Sequence, residues 1–347
     1  MWFSYLIVLL LLLALELIYF RVADSLNIID KPNERSSHSS IVLRGGGVVF
    51  PLSMLVWAGL QGLAGNWGLV IDYLPFLIGL LLIAGVSFID DIHSLPDSVR
   101  LVAQFVAMGL LFWNIGIMHW EMWWMVLIAF VVFVGATNVI NFMDGINGIT
   151  AGYSLAVLIP LLIIDNGQWK IDYSSRFIDP SFLIIAIIGV LVFCYFNFRP
   201  RGKARCFAGD VGSVGIAFIM LFAIGRLIIQ TGDVTWLILL IVYGVDGCLT
   251  IVHRIMLHEN LGQAHRKHAY QLMANELGMS HVVVSLVYMG LQLVISLIAI
   301  FVIPDTVVAH WTYLIVTLVA LCLGYVAFMR KYYYLHEEYL KSLTIDN

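Results

Sequence analysis

The chain has 347 residues, 61% of them hydrophobic and 12% charged, with a mean hydropathy of +0.96. A soluble globular protein carries about 25% charged residues, so this composition excludes a water-soluble domain and a disordered chain. The net charge of −4 exerts no overall pull on polyanions and argues against a nucleic-acid binder. Cys194, Cys206, Cys248 and Cys322 lie far apart and read as small hydrophobes, not as a disulfide or zinc framework.

A bilayer core of about 30 Å takes about 20 apolar residues per helix. Runs of that kind predict eleven spans, at roughly 1–20, 46–66, 73–89, 101–119, 122–141, 146–164, 181–198, 212–230, 234–252, 281–303 and 307–329. Residues 1–20 have the length of a signal peptide. No basic segment precedes the apolar run and Arg21 follows it, so a retained first helix is expected. Threaded this way, 15 of the 18 Lys and Arg residues fall on one side, Lys170 and Arg176 on the other, and Arg226 inside a span. That asymmetry predicts an outside N-terminus and a cytoplasmic C-terminus. The expected fold is an all-α polytopic membrane protein, with one integral-membrane domain over 1–330 and a cytoplasmic tail over 331–347.

The polar clusters fall on the same predicted inner side. In chain order they begin with Asp30 to His38, then Arg44-Gly45-Gly46-Gly47, and Asp90-Asp91 followed by Arg100 and Gln104. Next come Asn138-x-x-Asn141-x-x-Asp144-Gly145-Ile146-Asn147, Asn197 to Arg205, Phe207-Ala208-Gly209-Asp210-Val211-Gly212-Ser213, and His265-Arg266-Lys267-His268. Adjacent carboxylates at the end of an apolar span repel each other and call for a cation or a proton-transfer role. Asp90, Asp91, Asp144 and Asp210 together form an oxygen-rich set that suits Mg²⁺ completed by substrate phosphates. Arg199, Arg201, Lys203 and Arg205 are either topology-setting charges or anion partners. The backbone N–H groups of the Arg44-Gly-Gly-Gly turn suit a phosphate. Carboxylates for a metal and cations for phosphates at one membrane face point to phosphoryl transfer at the interface.

With these motifs in this order, from Asp30 to about Gln271, the sequence resembles the polyprenyl-phosphate N-acetylhexosamine-1-phosphate transferases, integral-membrane glycosyltransferase family 4. That family includes the phospho-MurNAc-pentapeptide translocase and the enzymes that initiate O-antigen. The His265-Arg-x-His268-x-Tyr-Gln segment and the Pro32-Asn-Glu-Arg-Ser-Ser-His38 loop look most like the O-antigen-initiating branch. The resemblance implies transfer of a sugar-1-phosphate, of GlcNAc or FucNAc type, from a UDP-N-acetylhexosamine to undecaprenyl phosphate, with release of UMP. The product would begin O-antigen, lipopolysaccharide or a related polysaccharide, on the cytoplasmic face of a bacterial inner membrane.

The resemblance also implies residue roles. Asp210 would hold Mg²⁺ (or Mn²⁺) with the side-chain oxygen of Asn141, and Asp90 would deprotonate or position the lipid phosphate with Asp91 assisting. Asp144 would lie near the sugar-phosphate, and Gly145, Asn147, Asn197 and Phe207 around the uridine. His265, Arg266 and His268 match a loop over the diphosphate, and Asn138, His38 and Arg44 join the substrate-binding set. Either the lipid phosphate attacks the β-phosphorus directly or an aspartate attacks first, and a homodimer is left open.

Two departures from the family pattern stand out. Ile41-Val42-Leu43 replaces a segment that usually carries prolines, and Asn147 stands where peptidoglycan-type members often have aspartate. Arg226 and Asp246 fall inside consecutive spans at different depths, which leaves a direct pair between them open and offers Arg254 as an alternative partner for Asp246 nearer the surface. The competing function class is a transporter for a nucleotide sugar or organic anion. Transporters place ionisable groups at the midplane of repeated, broken helices, whereas these carboxylates sit at span ends and no repeat is visible.

Overall fold

The computed structural model describes residues 2–30, 42–118, 121, 123–167, 176–260 and 265–345. His38, Lys31 and Arg35 lie outside the described residues. The chain opens with helix α1 (Trp2–Ser25) and two short antiparallel strands, β1 (Ile29–Asp30) and β2 (Val42–Leu43). The Val42-Leu43 departure is thus a strand, paired by Ile29 with Leu43 and Asp30 with Val42. A 3₁₀ turn at Gly46–Val48 leads into α2 (Val49–Leu63), followed by α3 (Trp67–Asp72), α4 (Leu74–Ile92) and α5 (Asp97–Ile115). Then come α6 (Trp123–Phe142), α7 (Ile149–Asp165), α8 (Pro180–Asn197) and α9 (Gly209–Thr231). A 3₁₀ stretch, Val234–Leu240, runs into α10 (Ile241–Met256), and α11 (Ala269–Asn275), α12 (His281–Phe301) and α13 (Val307–Ile345) complete the chain.

Among the described residues, ten helices are long and apolar enough to cross a membrane. The remaining predicted run, 146–164, becomes α7, of 17 residues. At 1.5 Å per residue α7 is about 25 Å long, short of a bilayer core. Most of its side chains are buried, so protein surrounds it and the shortfall costs little. The last helix is the opposite case. Its 39 residues run unbroken past residue 330, about 58 Å in all, so the predicted tail continues the span as helix to Ile345.

Lipid is as apolar as leucine, so association inside a membrane rests on close packing and interhelical hydrogen bonds. α9 is the centre of this packing: 83% of its span is enclosed, against 11% for Val307–Tyr339. At the end of the bundle where α4 begins, Phe76 stacks on Phe222 at 4.2 Å between centroids, with Phe182 and Tyr73 packed around them. Arg226 caps that region by donating to the Phe177 carbonyl at 3.0 Å and lying over the Tyr73 ring. The opposite end gathers the C-termini of α4, α6 and α10 and the N-termini of α5 and α9, and it is polar.

Candidate active site

The N-terminus of α9 is built by close backbone approach. Gly46 N donates to the Phe207 carbonyl at 2.8 Å, Gly47 N to Ala208 at 3.0 Å, and Phe207 N to Leu43 at 2.8 Å. A Cβ at Gly47 would overlap the Cα of Gly212, so the glycine turn and α9 touch through bare backbone. Gly209 has φ +69°, and a Cβ there would lie 2.6 Å from the Asp91 carboxylate. This arrangement corrects one expectation: the Gly46 and Gly47 amides are spent on residues 207–208 and hold no phosphate.

The freed α9 amides go instead to Asp91. Its carboxylate accepts from Asp210 N at 2.9 Å and Val211 N at 3.0 Å, capping α9 from a neighbouring helix where the helix dipole is positive. Arg44 Nε lies 2.7 Å from Asp91 Oδ1, and the Asp91 side chain has no exposed surface. Tyr19 of α1 fixes Arg44 by donating to its carbonyl at 2.6 Å. Burial works against the Arg44 charge, but Asp91, Asp210 and Asp30 raise its pKa. Asp90, beside Asp91, accepts from Leu95 N at 2.6 Å and Arg100 Nη1 at 3.0 Å. Asp210 lies between the two cations, 3.7 Å from Arg100 Nη1 and 3.9 Å from Arg44 Nη2. Three aspartates therefore alternate with two arginines. The long contacts fall to Asp210, whose side chain is 22% exposed.

Asp210 faces a cavity of about 450 Å³. Ile83, Val86, Leu101 and Val214 form apolar walls, while Arg100, Gln104, Asn138, Asn141, His265 and His268 supply polar ones. Asn141 Nδ2 donates to Asp210 Oδ1 at 3.1 Å and Ser213 Oγ at 2.8 Å. Asn138 exchanges hydrogen bonds with Gln104 and donates to the Val134 carbonyl, which pins it to α6.

The histidine loop closes the cavity. The rings of His265 and His268 lie 4.9 Å apart. His265 Nδ1 and His268 Nε2 are buried without a partner among the described residues. A buried polar atom left unpaired costs about 1–3 kcal/mol, so both nitrogens are open to a water or a ligand. Burial, then the His268, Arg254 and Lys267 charges, push His265 down to about 3, so its ring is neutral near pH 7 in the free protein.

The model of glycosyl transferase family 4 matches residues 73–228, which hold all three aspartates, Arg100, Asn138 and Asn141. This core is a family 4 glycosyl transferase domain. Among curated relatives, the chain is 25% identical over 294 residues to the probable undecaprenyl-phosphate N-acetylglucosaminyl 1-phosphate transferase of Bacillus subtilis, covering 80% of this chain and 78% of that one. It is 34% identical over 116 residues to the phospho-N-acetylmuramoyl-pentapeptide-transferase of Moorella thermoacetica, covering 33% of this chain and 32% of that protein. It is 26% identical over 218 residues to the decaprenyl-phosphate N-acetylglucosaminephosphotransferase of Mycobacterium leprae, covering 57% and 54% respectively.

Other predicted site residues of the transferase sit behind the cavity. Asp144 accepts from Thr150 Oγ1 at 2.5 Å. Burial, opposed by that bond and reinforced by Asp210 and Asp91, pushes its carboxyl up to about 7. Gly145 leaves room for the Tyr270 hydroxyl, which donates to the Phe142 carbonyl at 3.1 Å. Asn147 Nδ2 donates to the carbonyls of Arg199 and Pro200. Asn197 accepts from Gly148 N at 2.7 Å and donates to the Cys206 carbonyl. These two amides tie loops together, and Phe207 enters through its backbone. Arg266 turns toward α13: its Nη2 meets Glu276 at 2.8 Å and its guanidinium lies 4.2 Å from the centre of the Tyr339 ring.

Sequence reasoning left Arg100 unassigned, although Asp97-x-x-Arg100 at helical spacing signals an organised cation. The two partners it left open for Asp246, Arg226 and Arg254, are not the ones observed. Asp246 takes His268 Nδ1 at 3.3 Å, while Arg254 pairs with Glu259 at 3.2 Å.

Proposed function

We propose that the protein transfers N-acetylhexosamine-1-phosphate from a UDP-sugar to undecaprenyl phosphate, giving undecaprenyl-diphospho-sugar and UMP. The observation that carries this reading is one cavity with an apolar side, a carboxylate held between two arginines, and two unpaired imidazole nitrogens. Such a cavity suits an amphiphile with a phosphate head beside a second phosphorylated substrate. The three relatives are named for polyprenyl-phosphate or pentapeptide sugar-phosphate transfer, which supports the same chemistry.

The donor set fits Mg²⁺ better than zinc. Among the described residues, no three His, Cys, Asp or Glu side chains gather as a metal-holding group. Mg²⁺ is commonly bound through one or two carboxylates with substrate phosphates and water. Asp210 is the half-buried carboxylate in position for this, with Asn141 beside it once its amide is turned to present oxygen. When bound, Mg²⁺ (or Mn²⁺) supplies charge neutralisation on the diphosphate.

The chain's own groups do the rest. Arg100 and Arg44 hold the phosphates at the face of Asp210 and offset the charge that grows on the departing UMP oxygen. Asp90, oriented by Arg100 and Leu95 N, accepts the proton of a monoprotonated lipid phosphate or aligns its oxygen toward the β-phosphorus. Asp91 contributes by position, because α9 and Arg44 occupy its oxygens. The 15 cations on one side of the spans support a cytoplasmic site in a bacterial inner membrane. GlcNAc and FucNAc are the sugars proposed, as the first unit of O-antigen or a related surface polysaccharide.

The test is turnover in detergent with undecaprenyl phosphate, Mg²⁺ and either UDP-GlcNAc or UDP-FucNAc. One donor should release UMP and form a lipid-linked sugar, and EDTA should stop it. No UMP from either donor would overturn the proposal.

A further inference from the structure

The proposed transfer leaves Asp246 without a role, although it is a carboxylate 3% exposed inside a membrane span. Charges in that setting are costly and are kept where pairing or function holds them. Five donors converge on this one. His268 Nδ1 lies at 3.3 Å, Ala269 N at 3.1 Å and Tyr270 N at 3.4 Å. The Tyr288 hydroxyl donates at 2.6 Å and Thr250 Oγ1 at 3.2 Å. The two backbone donors begin α11, so a single carboxylate both starts that helix and grips the residue before it. His268 is 1% exposed and lines the cavity, and its other nitrogen, Nε2, has no partner among the described residues.

We propose that Asp246 is a positioning residue: by holding Nδ1 of His268 it commits Nε2 to a phosphate oxygen of the nucleotide sugar. This rests on the cavity taking that substrate. A neutral ring that gives its Nδ1 proton to Asp246 keeps only a lone pair at Nε2, so the form that meets a phosphate oxygen is the imidazolium, and the partner at one nitrogen decides which of the two faces the substrate. Asp246 makes that choice here, and it cannot itself swing away because Tyr288 and Thr250 hold it from α12 and α10. The loop is gripped from its other side as well. Glu276 accepts from Arg266 at 2.8 Å and pairs with His336 Nδ1 of α13 at 3.0 Å. No bond forms or breaks at Asp246. It fixes which atom meets the substrate.

The test is a double-mutant cycle in the detergent assay with UDP-GlcNAc or UDP-FucNAc, whichever is turned over. Asp246→Asn should lower kcat by about 10–100-fold, as loss of an orienting partner typically does, with the donor KM moving less than about threefold. His268→Ala should cost at least as much, and the double variant no more than His268→Ala alone. Tyr288→Phe removes one of the bonds that keep Asp246 in place and should lower kcat less than Asp246→Asn does, with the donor KM again moving little. If Asp246→Asn fails to fold, Asp246→Glu takes its place in the cycle. A double variant whose loss is the product of the single losses would overturn the proposal. A readout free of turnover is the ¹⁵N shift of the His268 ring, identified by its loss in His268→Ala. It should change in Asp246→Asn, and an unchanged ring would overturn the pairing. Absence of wild-type turnover would instead remove the transferase reading, with the ¹⁵N result still deciding the dyad.

Discussion

Asp210 and the histidine loop face the same cavity, and the aspartate cluster and that loop are built in opposite ways. Around Asp91 the polar groups satisfy one another: α9 amides, the Arg44 guanidinium and the glycine turn leave its carboxylate with no exposed surface. Around His265 and His268 two buried ring nitrogens have no partner among the described residues. The first region is therefore organised by the protein's own groups, and the second keeps hydrogen-bonding capacity that the described residues do not use. Pre-organised charge is what an electrostatically assisted transfer needs at the reacting phosphate, since it costs no rearrangement at the moment of reaction.

That contrast is broken most severely at Asp210. Asp210→Ala should lower kcat by about 10³-fold or more, while the melting temperature stays within about 2 °C, because Asp210 makes only long ion pairs and one amide contact. Normal turnover in the variant would remove Asp210 from the chemistry. Gly47→Ala should do the reverse and act first on folding. Its Cβ meets the backbone of Gly212, which cannot move aside, and overpacking of this kind costs about 1–3 kcal/mol. Melting unchanged from wild type would show that the backbone contact is loose.

A smaller effect separates the regions by pH. The Asp144 carboxyl is pushed up to about 7 by burial and nearby carboxylates, above the unfolded value of about 4. The folded state thus holds a proton that the unfolded state releases. That stabilisation is complete below about pH 4 and is lost as pH rises through about 7. Asp144→Asn should therefore melt a few degrees higher than wild type at pH 8 in metal-free detergent, with the gap shrinking toward pH 5. A gap independent of pH would contradict the assignment. The smallest change is expected at His336, one step removed from the loop. Burial opposes the Glu276 charge, but His336 and Arg266 hold its pKa below the usual range. His336→Ala should raise the donor KM by about threefold, under 1 kcal/mol, with kcat unchanged. A kcat loss larger than that of Asp246→Asn would make α13 the principal support of the loop.

Much of the fold was legible because membrane spans announce themselves by length and apolarity; the exception, α7, is short where protein replaces lipid around it. The polar residues gathered at this end of the bundle were legible as motifs. Their partners were not. Asp91 meets Val211 across 120 residues, and neither local sequence reveals that pairing. The glycine turn read as a phosphate cradle because its amides are free in any local view, yet Phe207 and Ala208 occupy two of them. Asn147 and Asn197 stood in motifs, and the backbone carbonyls their amides bond lie on other segments that no local reading reveals. Arg100 and Asp246 were visible as charges, but their partners, Asp210 and His268, lie on other segments of the chain.

The central claim is that phosphorus, and not the sugar alone, moves from nucleotide to lipid. It is tested most directly with UDP-N-acetylhexosamine labelled with ³²P at the β-phosphate, undecaprenyl phosphate and Mg²⁺ in detergent. The label should pass to the lipid fraction with unlabelled UMP left in solution, and Asp210→Ala should abolish that passage. Label retained in soluble UDP while the sugar enters lipid would contradict it.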